Sequence, residues 1–307
     1  MSSIKHKIQT MMHTPRIFMI KFANSPIFKI IPDRYALKIK YKNIFHRELN
    51  LVNPKTFNEK LQWLKLFDRK PIYSTMVDKY AAKQYVAEII GKEHIIPTLG
   101  VWDNVDDIDI NSLPNQFVLK CTHGSGDVLI CKDISTFDIE VARKRLAKAL
   151  NTDYYSIDRE WPYKNVPRRI IAEPYMIDKE SSELRDYKFF CFNGQAKCFK
   201  IDFDRFVNHR ANYFELNGSL MNIGEVACPP NPQESISIPH NINQMIEYAN
   251  RLSQSTYFLR TDFYYVDGTV YFGELTLYPA GGFGLFLDDA SDLQMGEWLR
   301  LPTEEGV

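Results

Sequence analysis

Residues 258–277 read FLRTDFYYVDGTVYFGELTL, two β-prone runs on either side of Asp267-Gly268. Asp-Gly between such runs is a strong hairpin signal, so this stretch is expected to form two paired strands. A two-residue turn would pair Asp262 with Gly273 and point Glu274 to the other side of the sheet. A three-residue loop would instead pair Asp262 with Glu274, and both registers are open.

Two more hairpins are expected upstream. One has the turn His123-Gly124-Ser125-Gly126 after a strand that begins at Phe117, and the other turns at Asn193-Gly194. Because antiparallel hairpins outnumber helical crossovers, the fold class is α+β. One helix is expected directly after the capping box of Thr56 and Glu59. Three more are expected over residues 77–90, 138–150 and 241–255.

Composition excludes several classes of protein. The 307 residues are 45% hydrophobic and 25% charged, as in soluble globular domains, which excludes disorder and low-complexity repeats. The net charge of zero excludes a strongly basic nucleic-acid-binding protein. The charge is uneven, however, because residues 1–50 hold ten Lys/Arg against two Asp/Glu. These residues are expected to form short helices with a basic, interrupted amphipathic pattern.

The cysteines and the N-terminus favour a cytoplasmic protein. There are five cysteines, an odd number, and no pair has CxxC spacing, which argues against a disulfide framework and a zinc site. No secretory signal peptide is visible, and no apolar run approaches the roughly 20 residues of a membrane span.

Chemistry is expected from a dispersed set of residues, because P-loop, zinc-protease and serine-hydrolase motifs are missing. Lys120 precedes the glycine-rich turn, whose backbone N–H groups could hold a phosphate; an ordinary surface hairpin explains the pattern equally well. If Asp262 and Glu274 face each other, Mg²⁺ with substrate phosphates would neutralise them. Arg260 could clamp a phosphoryl group there, or form a structural salt bridge.

In their order along the chain, these elements resemble the ATP-grasp superfamily, and specifically its family related to the teichuronopeptide biosynthesis protein. The resemblance covers roughly residues 50–300 and implies two α+β lobes that grip ATP. It also implies four regions: a basic helical segment (1–52), a pre-grasp α/β region (53–112), an N-lobe (113–172) and a C-lobe (173–307). The matching motifs are Asn53 to Leu64, Asp78-Lys79-Tyr80, Phe117 to Gly126, Asp186 to Gly194, Arg260 to Phe263 and Gly273 to Thr276.

The resemblance assigns roles to individual residues. Lys79, Lys120 and the loop of His123, Gly124, Ser125 and Gly126 are expected to meet the nucleotide's phosphates. Glu173 with the backbone of Tyr175 and Met176 is expected to bind adenine, Asp186 to bind the ribose hydroxyls, and Lys188 is grouped with these nucleotide-binding residues. Asp262, Glu274 and Thr276 are expected to hold magnesium, although Thr276 stands where many relatives have asparagine. Arg260 and, from a looser alignment, Arg210 are the expected catalytic residues.

The implied activity is an ATP- and Mg²⁺-dependent ligase that activates a carboxylate as an acyl phosphate and passes it to an amine. The expected substrates are a uronic acid or similar carboxylate of a bacterial surface polysaccharide precursor, such as capsule or O-antigen, and an amino acid or amine. Alternatives are an ATP-dependent sugar kinase, a glycosyltransferase using the strings Asp202-Phe203-Asp204 or Asp107-Ile108-Asp109, and a nucleotide-sensing scaffold. Residues 1–50 could dock on the anionic inner membrane face.

Overall fold

The computed structural model describes residues 30–126, 128–177, 184–204 and 207–302. The α-helices in these ranges are α1 (Asp33–Phe45), α2 (Phe57–Phe67), α3 (Ile72–Val77), α4 (Ala81–Ile90), α5 (Ile139–Leu150), α6 (Tyr154–Asp158), α7 (Ile242–Ser253) and α8 (Asp289–Trp298). The strands are β1 (Gly100–Trp102), β2 (Phe117–Cys121), β3 (Val128–Cys131), β4 (Ile170–Pro174), β5 (Asp186–Phe192), β6 (Gln195–Phe203), β7 (Arg210–Glu215), β8 (Phe258–Val266) and β9 (Thr269–Thr276).

The strands form two antiparallel sheets, which confirms the α+β fold class. The smaller sheet has the order β1-β4-β2-β3, and the larger has the order β7-β6-β5-β8-β9. β1 lies in the predicted pre-grasp region 53–112 but pairs with β4 of the smaller sheet. Shortly before β1, Ile95 forms a bridge to Phe272 in β9. The short stretch from Ile95 to Trp102 therefore touches both sheets.

The last hairpin resolves the two registers that the sequence leaves open. Val266 pairs with Thr269, so the loop is the two-residue turn, with Asp267 and Gly268 at positive φ. Asp262 nevertheless pairs with Glu274, because a β-bulge shifts the register between Asp262 and Phe263. Gly273 is the extra residue, and its missing side chain leaves room for the Asp262 carbonyl, which a Cβ would meet at 3.0 Å.

Each sheet packs one face against a helix and carries polar groups on the other. In the larger sheet, that other face also carries Phe192, which packs against Phe57 of α2 and Trp298 of α8. In the smaller sheet, α5 packs Leu146 on Phe117 and Leu119, which turns Lys120 to the opposite face. In the larger sheet, α7 packs against the face that carries Phe189. Polar and charged residues of β5, β6, β8 and β9 lie on its other face: Lys188, Lys200, Asp202, Arg260, Asp262 and Glu274.

The N-terminal helix α1 is packed onto the rest of the chain. Leu37 and Tyr41 are buried with Phe283 in a separate apolar cluster, and the ammonium of Lys40 forms a buried ion pair with Asp158. Residues 1–29, the remainder of the predicted basic segment, lie outside the described residues. No helix in the described ranges combines the length and apolarity that crossing a membrane requires. All five cysteines are buried thiols.

Candidate active site

Arg260 joins two carboxylates on the polar face of the larger sheet. Its Nε donates to Asp262 Oδ1 and its Nη2 to Asp262 Oδ2, both at 2.7 Å. The same Nη2 donates to Glu274 Oε1 at 2.7 Å. Thr276 Oγ1 accepts from Arg260 at 3.1 Å and donates to Glu274 at 3.2 Å. The bulge at Gly273 thus produces the facing carboxylates that a magnesium site requires.

These groups hold each other in their ionised forms. Burial by itself would raise the pKa of Glu274, but the charges of Lys79 and Arg260 outweigh it and lower that pKa to about 2. Burial by itself would lower the pKa of Arg260, and the carboxylates of Asp262 and Glu274 raise it above its usual value instead. Glu274 and Arg260 are therefore both charged at neutral pH.

Lys188 extends the cluster across the sheet to β6. Its Nζ lies 3.1 Å from Asp262 Oδ2, 3.1 Å from Asp186 Oδ2 and 3.5 Å from Asp202 Oδ2. Burial opposes the charge of Lys188, but Asp262 and Asp202 outweigh it and raise the lysine's pKa. Asp186 is itself 3% exposed, so the structure places it in this buried network beside the predicted metal ligands. Its predicted contact with the ribose hydroxyls stays a prediction.

Lys79 links the larger sheet to the glycine-rich turn. Its Nζ donates to the carbonyl of Gly124 at 2.5 Å and lies 3.9 Å from Glu274 Oε2. Its backbone N–H donates to Thr122 at 3.1 Å, which holds this residue between α3 and α4. Burial lowers the pKa of Lys79, and Glu274 partly opposes that effect. One ammonium group thus contacts both the predicted phosphate loop and a predicted metal ligand.

A cavity of 220 Å³ lies at the glycine-rich turn, which matches the predicted phosphate site. Gly124 packs closely under Tyr154, whose ring a Cβ would meet at 3.1 Å, and Gly126 has φ +94 with open space around it. The backbone can therefore approach a ligand closely here. The lining residues include Lys79, Lys120, His123, Gly124, Ser125, Gly126, Lys148 and Tyr154.

Glu173 is held by two lysines beside this cavity. Its Oε2 lies 2.5 Å from Lys120 Nζ and its Oε1 2.6 Å from Lys83 Nζ. Burial would raise the pKa of Glu173, but Lys120 and Lys83 outweigh it and lower that pKa. The strand register puts Lys120 opposite Val128, and Val128 is 44% exposed. An exposed apolar patch beside paired charges suits a flat base such as adenine.

The other predicted site residues differ in where the structure places them. Arg210 pairs with Phe203, which puts it on the face of the larger sheet opposite Arg260 and Asp262. His123 is 3% exposed, and burial first, then nearby Arg168, lower its pKa. Tyr175 and Met176 directly follow β4 and are half-buried. The structure brings together most of the predicted site residues: Lys79, Lys120, His123, Gly124, Ser125, Gly126, Glu173, Asp186, Lys188, Arg260, Asp262, Glu274 and Thr276.

Sequence reasoning missed two basic residues. Lys83 binds Glu173, and a signal for it exists, since Lys83 follows Lys79 by four residues, close to one helical turn. Lys148 lines the cavity from the last turn of α5. In the sequence, Lys148 looks like any basic residue on the solvent-exposed face of an amphipathic helix. Nothing in the sequence therefore identifies it as a ligand-binding residue.

The residues fit magnesium and a nucleotide. Asp262, Glu274 and the Thr276 hydroxyl supply oxygen atoms, the donors that Mg²⁺ prefers, and Arg260 already places positive charge between the carboxylates. Lys79, Lys120 and the glycine-rich backbone offer a cradle for phosphates. When bound, Mg²⁺ would neutralise phosphate charge during phosphoryl transfer.

Comparison with known proteins assigns the family. A family model described as TupA-like ATPgrasp matches residues 59–300. No curated protein matches significantly. Solved structures that superpose include D-alanine-D-alanine ligase from Helicobacter pylori (14% identity, 80% of this chain and 69% of that one, TM-score 0.40). A second is D-alanine–D-alanine ligase from Bacillus anthracis complexed with ATP (16% identity, 74% of this chain and 67% of that one, TM-score 0.40). A third is D-cycloserine synthetase DcsG (15% identity, 75% of this chain and 72% of that one, TM-score 0.40).

The family assignment rests on the match over residues 59–300. The match gives no support to the glycosyltransferase alternative. The chain belongs to the TupA-like ATP-grasp family, and it is an ATP-grasp enzyme of the ligase class that uses ATP and Mg²⁺.

Proposed function

We propose that this ligase joins a uronic acid, or a similar carboxylate of a bacterial surface polysaccharide precursor, to an amino acid or another amine. The observation that supports it is the bridge of Arg260 between Asp262 and Glu274, with Lys79 spanning from Glu274 to the phosphate loop. This arrangement concentrates positive charge where a γ-phosphoryl group would pass to a carboxylate oxygen.

The reaction has two steps. First, a carboxylate oxygen attacks the γ-phosphorus of ATP, the bond to ADP breaks, and an acyl phosphate forms. Then an amine nitrogen attacks the acyl carbon, the C–O bond breaks, and phosphate leaves with its electron pair. Arg260 and Lys79 hold their charges next to the transferring group. Catalysis here is mainly positioning and charge stabilisation, so no protein nucleophile is required.

The test is ADP release from ATP and Mg²⁺ with a panel of uronic acids, using glycine or hydroxylamine as the amine. We expect ADP release that depends on both acid and amine. ADP release that needs the sugar alone would support a kinase instead, and tight ATP binding without turnover would support a sensor. Lys120→Ala and Glu274→Ala should abolish ADP release with an unchanged circular dichroism spectrum, and full turnover in either would refute the site assignment.

We also propose a cytoplasmic enzyme that touches the anionic inner membrane face through its basic N-terminal segment. Residues 1–29 contain five Lys/Arg and no Asp/Glu. Each basic residue close to an anionic surface contributes roughly 1 kcal/mol at low salt. Replacing these five residues with glutamine should reduce pelleting with anionic liposomes. The matched control replaces five exposed basic residues outside residues 1–50, namely Lys92, Lys144, Arg145, Lys164 and Lys197, and it should pellet like the unmodified chain. Equal pelleting of the first variant and the unmodified chain would refute the proposal.

A further inference from the structure

A carboxylate–imidazole pair lies at the β6–β7 end of the polar face. His209, immediately before β7, places its Nε2 3.5 Å from Asp202 Oδ2 in β6. The two side chains differ in accessibility, since Asp202 is 5% exposed and His209 37%. The imidazole therefore stands at the open side of the pair, and the carboxylate behind it is buried.

This pair is connected to the phosphoryl-transfer centre through one side chain. Asp202 Oδ2 lies 3.5 Å from Lys188 Nζ, and the same ammonium lies 3.1 Å from Asp262 Oδ2. The register puts Lys188 between Asp262 and Lys200 on one face of the sheet, and Asp202 follows Lys200 by two residues on that face. His209 therefore lies on the same face as the centre, toward the β7 edge, with Asp202 and Lys188 between it and Asp262.

The second step of the proposed reaction needs a proton acceptor. An alkylamine near neutral pH is mostly an ammonium ion, since its pKa is close to the ~10.4 of lysine, and it must lose a proton to attack. Lys188 and Arg260 have raised pKa values and keep their own protons, and Asp262 and Glu274 are engaged by Arg260. Histidine is the side chain whose ordinary pKa suits this task.

We propose that His209 accepts a proton from the substrate ammonium ion, which frees the amine for attack on the acyl phosphate, and that Asp202 stabilises the imidazolium so formed. The neutral amine nitrogen then attacks the acyl carbon. As the C–O bond breaks, the phosphate leaves with its electron pair and takes the second proton of the nitrogen. This inference rests on the proposed ligase function. His209 would be a catalytic residue, and Asp202 a positioning residue.

The surroundings of His209 favour this role over a metal site. Ligand atoms of Asp202, His209 and Cys228 lie within 4.8 Å of one another, a spacing that could hold a metal ion. However, Lys200 Nζ already stands among them, 3.7 Å from Asp202 Oδ1 and 3.9 Å from Cys228 Sγ. This ammonium already supplies the positive charge at Asp202 and Cys228. Arg210, the next residue after His209, lies on the opposite face of the sheet and so does not approach this pair from that face.

Asp202 is suited to remain ionised behind the imidazole. Burial would raise the pKa of Asp202, but the nearby imidazole of His209 and the charges of Lys200 and Lys188 outweigh it and lower that pKa. A carboxylate that stays charged over the working pH range stabilises a protonated imidazole throughout the reaction. Its removal should therefore change the pH dependence of the reaction as well as its rate.

The experiment compares two amines in His209→Gln. Glycine is protonated at neutral pH and needs a base, whereas hydroxylamine is already neutral. With a uronic acid that supports wild-type turnover, we expect His209→Gln to slow amide formation with glycine by roughly 10²–10⁴-fold. Hydroxamate formation should stay within a few-fold of wild type. The glycine rate of the variant should also keep rising with pH where the wild-type rate levels off, and Asp202→Asn should shift that profile.

His240→Gln is the matched control, since His240 contacts Tyr265 on β8 rather than this pair. It should leave both rates unchanged. Equal slowing with both amines would indicate a structural role for His209 and overturn the inference, as would unchanged rates with both. Failure of the wild-type enzyme with every acid and amine would instead overturn the proposed function, and this inference with it.

Discussion

Replacement of Arg260 with methionine should expose the repulsion that this side chain suppresses. Asp262 Oδ2 and Glu274 Oε1 each lie 2.7 Å from the same Arg260 nitrogen, so the two oxygens are held only a few ångströms apart. Two like charges about 5 Å apart repel by roughly 3 kcal/mol at an effective dielectric constant near 20. Breaking a buried ion pair by removing one partner costs about 3–5 kcal/mol, which agrees.

A loss of this size is measurable as a lower midpoint of thermal unfolding. For a chain of this size, each kcal/mol corresponds to about 2–4 °C, so Arg260→Met should lower Tm by roughly 6–12 °C. Mg²⁺ should raise the Tm of Arg260→Met more than that of the wild type, because the ion supplies the missing positive charge between the carboxylates. Differential scanning calorimetry with and without Mg²⁺ measures both quantities.

The matched control is Arg210→Met, which removes the same charge from the opposite face of the larger sheet. It should change Tm little and leave the Mg²⁺ effect as in the wild type. The reasoning is refuted if Tm falls by the same amount in both variants. It is also refuted if Mg²⁺ raises the Tm of Arg260→Met no more than that of the unmodified chain.

Three other changes test separate parts of the site. The pKa of Glu274 is lowered to about 2, so its contribution to stability is complete above its ordinary pKa of 4.5 and is lost as pH falls toward 2. In Glu274→Gln, Tm should therefore fall less steeply as the solution is acidified. Gly273→Ala puts a Cβ 3.0 Å from the Asp262 carbonyl and should lower the free energy of unfolding in urea by about 1–3 kcal/mol. Gly268→Ala has open space around the new Cβ but a φ of +83, and should lower it by only about 1 kcal/mol. Equal losses in the two variants would contradict the bulge argument. Lys120→Met should weaken ATP binding by calorimetric titration at least tenfold, and an unchanged Kd would remove Lys120 from the phosphate site.

The sequence predicted the hairpins well because their signals are local. The turns at Asn193-Gly194 and Asp267-Gly268 are confirmed, with positive φ at all four residues. The pairing of Asp262 with Glu274 could not be derived from the turn, because a β-bulge lies several residues away from it. Gly273 is the one local signal for that bulge, since glycine inside a strand often marks one.

One helix prediction was wrong at its start, and the reason bears on function. A continuous helix over 77–90 was expected, but α3 ends at Val77 and α4 begins at Ala81. Between them, Asp78 accepts the N–H of Tyr80 at 2.9 Å and pairs with Arg169 at 2.7 Å. Arg169 is distant from Asp78 in sequence, so periodicity cannot reveal this contact.

The hydrogen bond from Lys79 to the Gly124 carbonyl has a thermodynamic consequence for the nucleotide. A phosphate oxygen that binds this ammonium must compete with a carbonyl already 2.5 Å away, and with Glu274 at 3.9 Å. Binding is then an exchange of partners, and its free energy is the difference between two strong interactions. A modest affinity for ATP would follow from such an exchange, together with easier release of ADP after each turnover.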